Sequence, residues 1–158
     1  MITGAASGQG RIAAEVFAAE GAALVLADID GAGLDETAGR IGDTRYRPIT
    51  VVADLTRETE NHDLVQTAVE HLGGIDVLYN AAGLVRFGSV HETSIEDWQF
   101  VIDHELTMVF LSCKHVLPTM MNAGSGSIIN ISSVSGYVAG SRRHPAHAAT
   151  KAGIAGLT

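Results

Sequence analysis

Basic side chains are scarce in this sequence. Lys and Arg total 10 of 158 residues against 18 Asp and Glu, a formal net charge of −8. Without a basic stripe the chain has no electrostatic footprint for nucleic acid, and the same shortage argues against an anionic membrane surface. Cysteine is almost absent. A single thiol, Cys113, builds no disulfide framework, which agrees with a reducing compartment. Set in a helical pattern, Cys113 reads as a small buried hydrophobe. Long apolar runs are missing too. The longest, Ala22–Ala27, falls far short of the roughly 20 residues a bilayer span needs. The start of the chain carries neither the charged nor the apolar region of a signal peptide. The expectation is a cytoplasmic protein with no nucleic-acid or membrane partner.

What is present is apolar and rich in glycine: 46% hydrophobic residues and 18 Gly. The length is that of about one domain, enough to bury roughly 70% of the unfolded chain's surface. Strand and helix signals alternate without repeats or linkers. The continuous apolar run at 23–27 reads as a strand buried on both faces, 49–53 as the next buried strand, and 75–79 and 127–132 as further strands. Helical patterns occupy 31–41 and 57–71, the second with Leu64, Val65, Ala68 and Leu72 on one face and a Gly73-Gly74 stop. Thr93-Ser94-Ile95-Glu96 reads as a capping box. It opens a helix bearing Trp98, Val101 and Ile102, and the pattern runs on to an end near Pro118. A last helical segment covers 147–158. Repeated β-α-β units predict α/β architecture: a doubly wound, Rossmann-type parallel sheet with helices on both faces.

Thr3-Gly4-Ala5-Ala6-Ser7-Gly8-Gln9-Gly10 carries the first functional signal. Three glycines precede a helical pattern from Arg11 to Glu20. Such a turn brings backbone N–H groups and the positive end of a helix dipole against a bulky anion. Asp28 ends the second strand about 20 residues on, where a carboxylate binds a ribose 2′-OH. It would also repel a 2′-phosphate, so NAD is preferred over NADP. Arg11, just past the loop, is expected to face solvent. Asp54-Leu55 and Asn80-Ala81-Ala82-Gly83 close the third and fourth strands at the edge where open α/β sheets bind ligands. Taken singly, each is also an ordinary turn.

These segments, together with Gly126-Ser127-Ile128-Ile129-Asn130-Ile131-Ser132-Ser133 and the Lys151 segment, occur in the order found in the short-chain dehydrogenase/reductases, which the whole chain resembles. The resemblance implies hydride transfer between NAD(H) and an alcohol or ketone substrate. It places Thr3, Gly4, Ser7, Gly8, Gln9, Gly10, Asp28, Asp54, Leu55, Asn80, Ala81, Ala82, Gly83 and Lys151 at the cofactor. In that family a Tyr is the general acid/base, a Lys lowers its pKa and holds the nicotinamide ribose, a Ser polarises the substrate oxygen, and an Asn supports them. Ser133 and Lys151 match. The Tyr position holds His147 and the Asn position holds Glu105. On one helical face His147 and Lys151 could still point together, with imidazole as the proton carrier, and Glu105 is expected to pair with Lys151. Tyr137 reads as a loop or pocket-wall residue.

Three functional readings follow. One is an NAD-dependent dehydrogenase, active or inactivated at His147 and Glu105. The second is an NAD-binding pseudoenzyme. The third, remote, is a hydrolase using Ser133, His147 and Glu105 as nucleophile, base and orienter. A metal site from His144, His147 and Glu105 is weaker still, and the histidines at 62, 71, 91, 104 and 115 read as surface residues. The family pattern has more strand before Thr3 and further strands and a substrate loop after Thr158, so the expectation is one partial domain, 1–158, from which homo-oligomer formation is expected of a longer parent.

Overall fold

A computed structural model describes residues 1–42, 44–138 and 144–158. Five parallel strands, β1 Ile2–Thr3, β2 Val25–Asp28, β3 Ile49–Val52, β4 Val77–Asn80 and β5 Ser127–Asn130, form a sheet of order β3-β2-β1-β4-β5. Each pairs in parallel register, so Thr3 lies opposite Asn80 and Asn80 opposite Asn130. The strand ends therefore share one carboxyl edge. The order reverses at β1, and the crevice at such a switch point is where open α/β sheets bind ligands.

Helices cover both faces, as the alternating pattern predicts. On one side α1 (Gly8–Ala19) and α2 (Gly31–Ile41) seal a core of Ile2, Leu26, Ala14, Ala18 and Leu34. On the other, α3 (Glu58–Leu72), α5 (Met108–Ala123) and α6 (Pro145–Leu157) pack Leu64, Val65, Val109, Val116 and Ile154 against Val25, Ala27 and Leu78. Neighbouring residues of β2 enter opposite cores, which is why its sequence is continuously apolar.

Several boundaries differ from expectation for identifiable reasons. α6 begins at Pro145 rather than His147, proline being pre-shaped for a first helical position. The α4 cap (Ile95–Ile102) is Ser94, whose hydroxyl accepts from the Asp97 N–H at 3.0 Å, whereas the Thr93 hydroxyl turns back to the Ser89 carbonyl. α5 passes Pro118 and stops at Gly124, a left-handed position with φ +71°. Most consequential is the link between α4 and α5. It is a single π-helical turn, Asp103–Thr107, a wider turn that recurs at functional sites, and it carries Glu105. Among the described residues no helix is long and apolar enough to cross a membrane.

Candidate active site

A cleft of about 290 Å³ opens at the carboxyl edge. Gly4, Ser7, Gly8, Gln9, Gly10, Asp28, Asp54, Leu55, Ala81, Ala82 and Gly83 line it. The glycines are needed by geometry. Gly4 has φ +70°, and a Cβ there would lie 2.5 Å from the Ala82 nitrogen, so two strand ends meet backbone to backbone. At Gly8, φ +51°, a Cβ would meet nothing within 4 Å and would project into open space. The helix behind is left uncapped. Ser7 occupies the N-cap of α1 without a side-chain hydrogen bond, and no acidic residue sits in the first turn. By contrast Asp30 and Ser94 cap α2 and α4 with their side chains. The positive end of α1 thus faces the cleft with no side-chain cap and no acid in its first turn, an arrangement that suits an anionic ligand. A dinucleotide's pyrophosphate fits this cradle.

Thr3 and Asn80 stand behind this wall. Thr3 is 1% and Asn80 2% exposed, and the Thr3 hydroxyl donates to Asn80 Oδ1 at 3.3 Å. The Asn80 amide in turn donates to Asn130 Oδ1 at 2.9 Å, tying β1, β4 and β5 together directly beneath the cleft. Cys113 is buried beside this network, and burial pushes its thiol pKa up. Asp28 braces the loop: its two carboxylate oxygens accept from the Ala6 and Asp30 N–H groups, each at 3.0 Å. The Asp54 carboxylate accepts from the Thr56 hydroxyl at 2.6 Å and the Thr56 N–H at 3.1 Å. The Thr56 hydroxyl bond is the main cause holding its pKa below the usual aspartate value.

Arg11 overturns the solvent-facing expectation. Its side chain is 14% exposed. It donates to the Ala6 carbonyl, to the Thr37 hydroxyl at 3.0 Å and to both Glu36 oxygens at 2.8 and 3.0 Å. The fixed fork of a guanidinium suits this bridging of the glycine loop to α2. Of the histidines expected at the surface, 62, 71 and 91 are exposed, whereas 104 and 115 are partly buried. His104 lines the cleft and stacks on Phe100 at 3.9 Å.

The second half of the site is built where α6 crosses the π turn. Lys151 is 7% exposed, donates to the Ile131 carbonyl at 2.9 Å, and stands 4.0 Å from Glu105. Burial lowers the Lys151 pKa, and the Glu105 carboxylate opposes that shift. The expected Glu105–Lys151 pairing is therefore not the main one. Both Glu105 oxygens lie 2.8 Å from His147 Nδ1, and Oε2 accepts from the Thr150 hydroxyl at 2.6 Å. One turn of π-helix and one of α6 place imidazole and hydroxyl on the same carboxylate, and the closer partners prevail. Thr150 escaped the sequence reading, although its place three residues after His147 puts it on the same face.

Ser133 caps a 3₁₀ turn (Val134–Gly136), its hydroxyl accepting from the Ser135 N–H at 3.1 Å. Among the described residues no hydrogen bond joins Ser133 to His147, so a hydrolytic triad is not assembled. The Ser132 hydroxyl donates to the Lys151 carbonyl at 2.7 Å. Tyr137 is 72% exposed beside the same turn. Among the described residues no group of three or more His, Cys, Asp or Glu could hold a metal ion. The two halves of the site meet at Gly83, where a Cβ would come 3.3 Å from Glu105 Oε1.

The family model described as short chain dehydrogenase matches residues 1–158. The cis-4-hydroxycyclohexanecarboxylate dehydrogenase of Sinomonas cyclohexanicum is 39% identical over 159 residues, covering 100% of this chain and 63% of that protein. A 3-alpha-(or 20-beta)-hydroxysteroid dehydrogenase of Mycobacterium tuberculosis is 38% identical, covering 100% of this chain and 59% of that protein. A short-chain type dehydrogenase/reductase from Mycobacterium marinum, solved by crystallography, superposes with a TM-score of 0.96 at 27% identity, over 99% of this chain and 64% of that one. The chain thus spans about three fifths of the length of these relatives.

Proposed function

The chain belongs to the short-chain dehydrogenase family, and from that premise we propose that it serves an NAD(H)-linked oxidoreductase acting on a secondary alcohol or its ketone. The observation that carries the cofactor reading is the convergence of the uncapped α1 N-terminus, the glycine loop and Asp28 on one cleft. The loop and the α1 N–H groups would hold the pyrophosphate, and Asp28 a ribose hydroxyl. Its negative charge disfavours a 2′-phosphate, which selects NAD over NADP. Asp54, Leu55 and the 80–83 segment would flank the adenine and the ribose. When bound, the cofactor supplies the hydride acceptor or donor. Ser133 would hold the substrate oxygen, Lys151 the nicotinamide ribose, and His147 the proton. The alicyclic and steroid alcohols named for the relatives support an alicyclic secondary alcohol as substrate. A cytoplasmic location and assembly as a homo-oligomer of a longer chain belong to the same reading.

Calorimetric titration with NAD and NADP tests it. Saturable NAD binding, at least tenfold tighter than NADP and lost in Asp28→Lys, is the expected outcome. No binding of either dinucleotide would sink the reading. Binding without turnover of any alcohol would leave the alternative of an NAD-binding pseudoenzyme.

A further inference from the structure

We infer that the two departures from the family pattern are a single substitution made in two places. His147 carries the proton of the reaction on Nε2, and Glu105 is the positioning residue that fixes the ring for it. The inference rests on the oxidoreductase reading above and concerns the contact between these two side chains.

Glu105 is 3% exposed, and an unpartnered carboxylate at that depth is among the costliest groups a fold can bury. It is not unpartnered. Both oxygens face His147 Nδ1 at 2.8 Å, and the Thr150 hydroxyl adds a bond of 2.6 Å. A carboxylate only accepts hydrogen bonds, so the ring nitrogen facing it must carry a proton. In neutral imidazole that leaves Nε2 bare. Nε2 has no hydrogen-bond partner among the described residues, and the ring is 18% exposed. The chemistry is that of a carboxylate–imidazole pair, in which the acid sets the tautomer and steadies the imidazolium.

The two side chains come from separate elements 42 residues apart and meet in hydrogen-bond geometry. The surroundings also suit the pair. Gly83 leaves room for Oε1, since a Cβ there would approach it to 3.3 Å. Lys151 stands 4.0 Å from Oε1, and the His144 ring packs edge-on against His147 at 5.0 Å. The 3₁₀ turn packed on α6 brings no titratable side chain. In alcohol oxidation His147 Nε2 would take the substrate O–H proton, and a bound nicotinamide would accept the hydride from the C–H bond. The C–O bond becomes C=O, and the imidazolium remains bonded to Glu105 until it releases the proton to water. Ketone reduction runs the same steps backward.

The ring proton can be located by ¹⁵N–¹H correlation NMR on the labelled chain, with His147 assigned by loss of its signals in His147→Tyr. The neutral wild-type ring is expected to carry its proton on Nδ1 in at least tenfold excess. Glu105→Leu, which removes the acceptor and fills its space, should collapse that excess to twofold or less while leaving NAD affinity within threefold. Turnover of a secondary alcohol should fall about 100-fold with KM within threefold, in line with the large losses that follow a wrong tautomer in such pairs. A wild-type ring protonated on Nε2 overturns the inference even if Glu105→Leu does not fold. So does a folded Glu105→Leu that keeps the wild-type tautomer, or an NAD-bound wild type that oxidises no alcohol. Failure to bind NAD, by contrast, removes the oxidoreductase reading and leaves the NMR spectrum to decide the pair.

Discussion

The two halves of the candidate site are built differently. The cofactor half is made of backbone: Gly4 pressed on Ala82, an uncapped α1 N-terminus, and carboxylates held by N–H groups. The chemistry half is made of buried side chains held by one another: Glu105 with His147 and Thr150, and Lys151 on the Ile131 carbonyl. Backbone geometry admits only glycine or a very small residue at its contact points, and there the sequence keeps the family pattern. Side-chain geometry admits other residue sets, and there positions 105 and 147 differ from the pattern that the resemblance implies.

The strongest way to break this comparison is Gly4→Ala. It adds a Cβ 2.5 Å from the Ala82 nitrogen at φ +70°. The left-handed position costs roughly 1–2 kcal/mol, and overpacking against backbone typically about 1–3 kcal/mol more. Chemical denaturation should show a loss of about 3 kcal/mol, and NAD binding should weaken at least 100-fold. Gly8→Ala has no neighbour within 4 Å, so only the backbone strain, roughly 1–2 kcal/mol, should appear in stability. If Gly4→Ala were as mild as Gly8→Ala, the cofactor half would not depend on close backbone contact.

The chemistry half should respond in the opposite direction. Lys151 is a 7% exposed ammonium with one close carbonyl and a carboxylate at 4.0 Å. Burial outweighs the Glu105 attraction at Lys151, and Glu105 keeps His147 and Thr150 as partners without it, so the charge is a net cost of the kind active sites retain for function. Lys151→Met is expected to raise stability by about 1 kcal/mol near pH 7 while abolishing any turnover. The sign follows from the lowered pKa. Between that value and the ordinary 10.5 the unfolded chain binds more protons than the folded one, so wild-type stability rises with pH. The advantage of the Met variant should shrink across that window. A destabilised variant at pH 7 would mean that Lys151 is a structural post, and the contrast between the halves would fail.

The same contrast explains what could be read from the sequence. α2 falls at Gly31–Ile41, where its periodicity put it, and the parallel strands after β1 fall within about two residues of the segments read as strands. These features depend on local period and on glycine, both visible in one dimension. The inward turn of Arg11 was not legible, because its partners Thr37 and Glu36 lie on another helix. The contact of Glu105 with His147 entered only as the orienter and base of the remote hydrolase reading, since the π turn that aims Glu105 leaves no mark in hydrophobic spacing. The places of positions 105 and 147 came from the resemblance, and the distance between them came only from the fold. His104 and Thr56, both on the cleft wall, had no motif to announce them.

The smallest expected effect sharpens the comparison at the acid end of the pH scale. Asp54 is held by the Thr56 hydroxyl and N–H, and the hydroxyl bond is the main cause of its lowered pKa. The folded chain therefore binds fewer protons than the unfolded one between that lowered value and the ordinary 3.8. Stability from Asp54 is complete above the ordinary value and is lost as pH falls through the folded one. Because the group is largely solvated, screening limits the gain to about 0.5 kcal/mol. Asp54→Asn keeps an acceptor for Thr56 but cannot titrate, so the difference in urea midpoint between it and the wild type should appear above pH 4 and fade below it. Lys151 titrates against its burial at the alkaline end, whereas Asp54 titrates with its hydrogen bonds at the acid end. A flat difference curve for Asp54→Asn would remove this distinction, and the cofactor half would owe its order to glycine packing alone.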